Sequence, residues 1–335
     1  MPIQTTLKNK PQLMGPVLSL IESNFGYESS FKYKEDFAPL MHESNFEHCH
    51  LSLGENDEII GHVGVLLRKI SVLDHEYTLA MLGGIAVNEK FQGKGYFKDL
   101  INHVIQTYES QVSGFLLWSD LHEMYKKFGF SLCGTQFVLS SESPTIVDIE
   151  KTTYSKLSSD EKKEIQHLYR NGFQKHYLTL NRSEDEWKKI ELIKSANLFI
   201  QRKEEKINGY FFQNKGMDLQ NIIYEYGHSE DFVGWLKDIS ALGEVWSGVL
   251  DEEAEVQYQF LFRPASQFTD FVKTYTREMI HLQKIDYDKD TVTLMLIDEE
   301  LELHLDDFLT GLFGPGRFDE VSYLPPLFIS GLDSI

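Results

Sequence analysis

The stretch LGGIAVNEKFQGKGYFKDL, from Leu82 to Leu100, decides how the chain is read: an apolar strand runs into a glycine-rich turn and straight on into an amphipathic helix. Gly93 and Gly95 open backbone conformations closed to other residues and let the chain come close to a ligand. The first amides of the following helix point outward with no partner inside it, and amides placed that way bind anions. The turn therefore reads as a cradle for a pyrophosphate. In the helix, Phe97, Leu100, Ile101, Val104, Ile105 and Tyr108 fall at the i, i+3, i+4, i+7 spacing of a buried face, so it packs on a sheet.

That sheet is written just upstream. HLSL at 50–53, EIIGHVGVLLRKISVL at 58–73 and YTLAMLGGIAV at 77–87 read as antiparallel strands joined by turns at Gly54–Asp57 and Asp74–Glu76. Gly61, Gly64, Gly83 and Gly84, set within apolar strands, mark bulges or close backbone approach. Downstream, the helix ends near Ser110, GFLLWS at 114–119 reads as a strand buried on both faces, and SDLHEMYKKFGF as a brief helix closed by Gly129. SLCGTQFVLSS is a final strand. Upstream of all this, Val17–Ser23 suits a short helix. Phe25, Tyr27, Phe31, Tyr33 and Phe37 crowd a loop that either lines a substrate entrance or forms a lid or core edge.

Ser140–Asp148, with Pro144, is the clearest domain boundary, because beyond it the same grammar starts again. Helices are expected at Ser159–Lys175, capped by Ser159 or Asp160, and at Glu184–Ala196. A hairpin turns at Glu204–Lys206, NIIYEY is a strand, DFVGWLKDISAL a helix and EVWSGVL a strand. This order echoes the first half, but Tyr226–Glu230 stands where the glycine turn stood and holds one glycine, so no second cradle is expected. The remainder has a helix around Phe268–His281 and the strand TVTLMLI. Its Gly314-Pro315-Gly316 reads as a turn, since proline removes an amide that a phosphate loop needs. The expected divisions are 1–143, 149–262 and 263–335.

Composition limits the function classes. With 335 residues, 41% of them hydrophobic, the core is ample for two domains or more. A net charge of −20 argues against nucleic acid or an anionic membrane as partner and favours a cationic one. Cys49 and Cys133 make no disulfide framework, and no run approaches a membrane span or a secretory leader, so a cytoplasmic protein is expected. His48 and His50 in EHCH invite a metal reading, but no further ligand pair has suitable spacing, and no metal is expected. The acidic runs Asp251–Glu255 and Asp298–Glu302 read as solvated faces.

Gln92-Gly93-Lys94-Gly95-Tyr96 opening a helix after an apolar strand, with Tyr125-Lys126-Lys127-Phe128-Gly129-Phe130 some thirty residues on, resembles the Gcn5-related N-acetyltransferase (GNAT) superfamily. The match covers about residues 49–140. The last motif position holds Phe97 rather than Gly or Ala, as in the multidomain acetyltransferases of the enhanced-intracellular-survival type. Those also consist of tandem acetyltransferase-like domains, the second degenerate, with a smaller C-terminal region. The resemblance implies an α/β (α+β) fold: a mixed, mostly antiparallel central sheet flanked by helices, in tandem with a second domain of the same kind. On it, 1–143 would be the catalytic domain, 149–262 the degenerate one and 263–335 a small region packed on the others.

The resemblance further implies acetyl-CoA as acyl donor, without a metal. Ile85, Ala86 and Val87 would present strand amides and carbonyls to the pantetheine arm and acetyl carbonyl, while Gln92, Gly93, Lys94, Gly95, Tyr96 and Phe97 would hold the pyrophosphate. Lys94 is either a phosphate contact or a solvated turn lysine. Tyr125 sits where the family places the acid that protonates the leaving thiolate, a task a phenol suits. The base stays open between Asp120, Glu123 (beside His122) and, as in the enhanced-intracellular-survival type, a C-terminal carboxylate, here Ile335. The acceptor expected is a cationic primary amine on a small molecule or peptide, attacking the thioester directly. The alternative is a non-catalytic acyl-CoA sensor or scaffold. The multidomain relatives suggest a homo-oligomer.

Overall fold

The computed structural model describes residues 2–141, 148–249 and 254–335; Pro144 and Asp251, on which a boundary and part of an acidic run were placed, lie outside them. In chain order the first half holds β1 (Ile3–Thr6), α1 (Met14–Asn24), α2 (Tyr33–Asp36), β2 (Cys49–Leu53), β3 (Ile59–Val72), β4 (His75–Val87), α3 (Tyr96–Tyr108), β5 (Gly114–Leu117), α4 (His122–Lys126) and β6 (Ser131–Leu139). The second half holds β7 (Ile149–Thr152), α5 (Ser159–Leu168), α6 (Gln174–His176), α7 (Glu184–Ile190), β8 (Asn197–Lys203), β9 (Lys206–Gln213), β10 (Ile222–His228), α8 (Phe232–Ile239), β11 (Glu244–Ser247) and β12 (Glu255–Pro264). Then come α9 (Phe268–Tyr275), β13 (Ile280–Asp286), β14 (Thr291–Leu296), β15 (Glu299–His304) and α10 (Leu305–Phe313).

The contacts divide the chain into two compact units: Met1–Ser131 with Phe260–Leu305 and Ile335, and Leu132–Gln259 with Asp306–Ser334. In the first unit the strand order is β1-β2-β3-β4-β5-β12, antiparallel except for β4 beside β5. Helix α3 joins that parallel pair, as a crossover must. Leu100, Ile101, Val104, Ile105 and Tyr108 of α3 are buried, the face expected from the spacing. Each such side chain stabilises by roughly 1.5–3 kcal/mol, which pins the helix start in place. A three-stranded sheet, β13-β14-β15, and α9 complete the unit.

In the second unit the order is β6-β11-β10-β9-β8-β7, again with one parallel pair, β10 beside β11, joined by α8. The internal repeat is therefore real: β9, β10, α8 and β11 retrace β3, β4, α3 and β5. The strand SLCGTQFVLSS does not close the first sheet beside β5. Its Phe137–Leu139 pair with Val245–Ser247 of β11, and Pro264–Leu261 of β12 take the place next to β5. Helix α5 is capped by Ser158 rather than Ser159 or Asp160. Ser158 accepts from Glu161 N while Glu161 reaches back to Ser158 N, a reciprocal capping box repeated by Ser183 and Glu186 at α7.

Candidate functional site

The site residues expected from sequence lie in the first unit, along β4, the turn after it and α4. Strand β4 pairs with β3 over most of its length, but with β5 only at Leu79, Ala80 and Met81. From Leu82 to Val87 the β5-facing edge of β4 has no strand partner among the described residues. Ile85, Ala86 and Val87 sit on this stretch; Ile85 is half-buried, the other two buried. The register against β3 slips between His62↔Ala86 and Gly64↔Gly83, so Gly84 and Ile85 together face Val63, which is a bulge. Gly84 has φ +58, and a Cβ there would sit 3.0 Å from the Tyr33 hydroxyl and 3.3 Å from the His62 ring.

The aromatic loop upstream gathers around that point. Tyr33 stacks on Phe25, meets Tyr27 edge-on and lies 4.6 Å from Phe37, centroid to centroid. Gly83 faces Ile335, whose backbone carbon lies 2.7 Å from the position of a Cβ. Gly61 and Gly64 are the close approaches the sequence suggested, to Ala86 O and to Leu40.

Past Val87 the chain turns on its own side chains. Asn88 accepts from Lys90 N, and Gln92 Nε2 donates to Val87 O at 3.1 Å, bracing the turn on the strand end. Gly93 and Gly95 have φ +72 and +87, and a Cβ at either would meet nothing, so glycine is required for conformation rather than space. Gly95 is the N-cap of α3 and supplies no side-chain cap. Among the described residues no amide from Gly93 to Lys98 finds an acceptor; the first bonded amide is Asp99, to Gly95 O. Lys94 Nζ bonds Lys90 O at 2.8 Å and lies over Phe91, leaving it on the exposed turn. Tyr96 packs edge-on against Phe91.

Phe97, the departure from the motif, points at Tyr125. Their rings meet edge-on at 5.8 Å; Phe97 also meets Phe128, and Tyr125 meets Phe130. A glycine at 97 would leave the Tyr125 ring without that wall. Tyr125 is 4% exposed, and burial alone, with no hydrogen bond or neighbouring charge contributing, pushes its pKa up. The segment is anchored by Arg263, which donates to Phe128 O and to Glu109 and lies over Tyr287. Asp120, His122 and Glu123 are exposed. His48 and His50 each give a ring nitrogen to Tyr108 Oη, at 2.8 and 2.9 Å, and no group of three His, Cys, Asp or Glu is placed to hold a metal among the described residues.

The second unit has the same strand and helix order without the paired glycines. Helix α8 is capped by Asp231, whose carboxylate accepts from Gly234 N at 2.8 Å, so the place an anion would take already holds a charge of the same sign. Beside β10, which pairs with β11 only at Ile222 and Ile223, the tail is packed: Gly331 on Tyr224, Phe328 on Gly248, Leu327 bridged to Leu178. Arg182 there bonds both Glu225 and Asp333, all three side chains buried, and Glu225 also accepts from Ser330. Lys215, also buried, donates to Gly331 O and Leu332 O. Sequence reasoning missed this cluster and His62; the one signal was a charged or polar residue inside an apolar strand.

Residues 10–133 match the family described as acetyltransferase (GNAT) domain. Among curated proteins, none matches the sequence. Among solved structures, the fold is similar to a protein of unknown function from Enterococcus faecalis described as a probable N-acyltransferase (12% identity, 91% of this chain and 85% of that one, TM-score 0.60). It is equally similar to a GCN5-related N-acetyltransferase from Anabaena variabilis (14%, 91% and 85%, 0.60). Eis1 from Mycobacterium abscessus follows (10%, 90% and 85%, 0.57). At these identities the likeness concerns the fold.

Proposed function

We propose that the protein, whose residues 10–133 match the acetyltransferase (GNAT) domain family, is an acetyl-CoA-dependent N-acetyltransferase acting on a primary amine. One observation carries the reading: the uncapped, glycine-opened start of α3 directly continues the unpartnered edge of β4. An acyl-CoA is the ligand with those two halves, a pyrophosphate beside an extended amide-bearing arm. The pyrophosphate takes the amides of Gly93 to Lys98, with Lys94 free to leave the Lys90 carbonyl for a phosphate. The pantetheine amides pair with the backbone of Ile85–Val87 as an added strand would. On this reading the first compact unit carries the catalysis and the second is its degenerate copy. The names of the structural neighbours support the same chemistry.

In the reaction, a neutral amine attacks the thioester carbonyl and the oxygen gains charge. The amine nitrogen gives up a proton to a base, for which Asp120, Glu123 and the Ile335 carboxylate are the candidates. The intermediate collapses with loss of the CoA thiolate, which takes a proton from an acid that solvent then reprotonates. An amide of the β4 bulge is positioned for the developing oxyanion. Tyr125 gives the proton to the sulfur. Its raised pKa keeps it protonated, and the same burial raises the basicity of a thiolate formed beside it, so the two remain matched. The acidic surface favours a cationic acceptor.

The test is to mix the protein with acetyl-CoA and a panel of polyamines, aminoglycosides and lysine peptides, following free thiol and the mass of each amine. Stoichiometric thiol release with a 42 Da gain on one amine is expected from the chemistry of acetylation, roughly the mass of an acetyl group less a hydrogen. Tight CoA binding with no turnover for any amine would instead favour a sensor or scaffold.

A further inference from the structure

His62 is the anomaly of the first unit. It sits in the apolar run IIGHVGVLL of β3, is 0% exposed, and leaves Nε2 without a hydrogen-bond partner among the described residues. A buried, unpaired nitrogen costs free energy that a leucine in the same place would not. What the ring does make is one short bond: Nδ1 donates to the carbonyl of Gly84 at 2.7 Å. Since a carbonyl only accepts, the ring is held as the Nδ1–H tautomer.

The bonded carbonyl belongs to the bulge. There the chain departs from the β3 ladder, and the Gly84 carbonyl needs a partner other than the opposite strand. His62, paired in register with Ala86, reaches across the two residues that oppose Val63 and ties the bulge down. The direction of the Gly84–Ile85 peptide, and so of the Ile85 amide, is fixed by this bond together with the φ of +58 at Gly84. Ile21 and Tyr33 close on Gly84 beside the His62 ring.

We infer that His62 is a positioning residue for acyl transfer: through the Gly84 carbonyl it sets the Ile85 amide in the orientation that receives the thioester oxygen. This rests on the acyltransferase reading. The histidine touches no reacting atom, and its neutral ring takes up no proton in the cycle. Its unpaired Nε2 is the cost of placing a rigid N–H donor where a backbone donor cannot reach.

Two substitutions and one spectrum test it. His62→Leu removes the donor and keeps an apolar filling; His62→Asn keeps an N–H near the position of Nδ1. With acetyl-CoA and a competent amine, His62→Leu is expected to lose about 100-fold in kcat, the scale of an ångström's misplacement at a reacting centre, with KM for acetyl-CoA within about threefold. His62→Asn recovers most of the loss. In the unliganded protein, amide hydrogen exchange at Gly84–Ala86 speeds up in His62→Leu and not in His62→Asn. The ¹⁵N spectrum of the native protein shows one histidine as the Nδ1–H tautomer down to pH 5. Unchanged kcat in a folded His62→Leu, or the opposite tautomer in the native protein, overturns the inference. Should exchange and tautomer behave as stated while the native protein neither binds acetyl-CoA nor releases thiol, the acyltransferase reading falls. The positioning role of His62 in acyl transfer then falls with it, and only the strut to Gly84 stands.

Discussion

Replacing Tyr125 with phenylalanine removes one oxygen from a ring that is 4% exposed and clamped edge-on by Phe97 and Phe130. Among the described residues no hydrogen bond reaches this phenol, and burial raises its pKa. Removing a hydroxyl without such a partner is close to neutral, so unfolding in urea should shift by less than about 1 kcal/mol. Turnover should behave oppositely. Loss of a positioned acid costs about 10²–10⁴ in rate, which at the lower end is about 2.7 kcal/mol of barrier. The KM for acetyl-CoA should stay within about twofold, since in the proposed mode the pyrophosphate is held by backbone amides of Gly93–Lys98, which the substitution leaves in place. The assay is thiol release under saturating acetyl-CoA, run beside urea titrations of both proteins. A folded Tyr125→Phe with native kcat would refute the role of the phenol. A variant destabilised by several kcal/mol would show that the hydroxyl has a structural partner that the geometry lacks.

Other consequences are open to direct measurement. His62 is depressed by burial from its ordinary 6.5 to about 4: below pH 6.5 the unfolded chain binds a proton that the folded one refuses. Stability is full above about pH 7 and falls as pH drops toward 4, by about 3 kcal/mol for this group. Urea titrations at pH 7 and 4.5 should show a smaller acid loss in His62→Leu than in the native protein, and equal losses would contradict the assignment. Arg182→Met strands Glu225 and Asp333 as buried carboxylates without their cation, which should cost about 3–5 kcal/mol; a loss under 1 kcal/mol in chemical denaturation would speak against the triad. Asp231→Ala removes the cap of α8 and should cost about 1 kcal/mol with turnover unchanged. A fall in kcat would show that the second unit's helix start takes part in the reaction.

The glycine turn and the helix it opens were legible because their requirements are local. A strand, two glycines at alternate positions and an amphipathic helix are each written in neighbouring residues, and Gly93 and Gly95 adopt the left-handed conformation their type suggests. The single glycine of Tyr226–Glu230 was legible in the same way, whereas the capping of the helix after it by Asp231 shows only in the fold. What the sequence hid depends on long-range pairing. SLCGTQFVLSS reads as a strand, but nothing local says that it joins β11 while β12 joins β5. Glu225, in the strand IIYEYGH, is wholly buried, because Arg182, 43 positions before it, meets it together with Asp333, which lies 151 positions after Arg182. His62 hid for a related reason: its partner is a backbone carbonyl that only a bulge sets free. Phe97, a departure from the motif, is explained by its contact with Tyr125, a residue 28 positions further on in the sequence.

The most direct test of the central claim is a calorimetric comparison of acetyl-CoA with acetyl-pantetheine, which has the same thioester arm but no pyrophosphate, on the native protein and on Gly95→Ala. The glycine-opened helix start predicts that native protein binds acetyl-CoA at least about 100-fold more tightly, the worth of a few charge-assisted amide bonds. In Gly95→Ala, where an alanine must hold φ +87 at a cost of about 1–2 kcal/mol, much of that advantage should vanish while acetyl-pantetheine binds as before. Equal affinity for the two ligands on the native protein would contradict the pyrophosphate cradle on which the account rests.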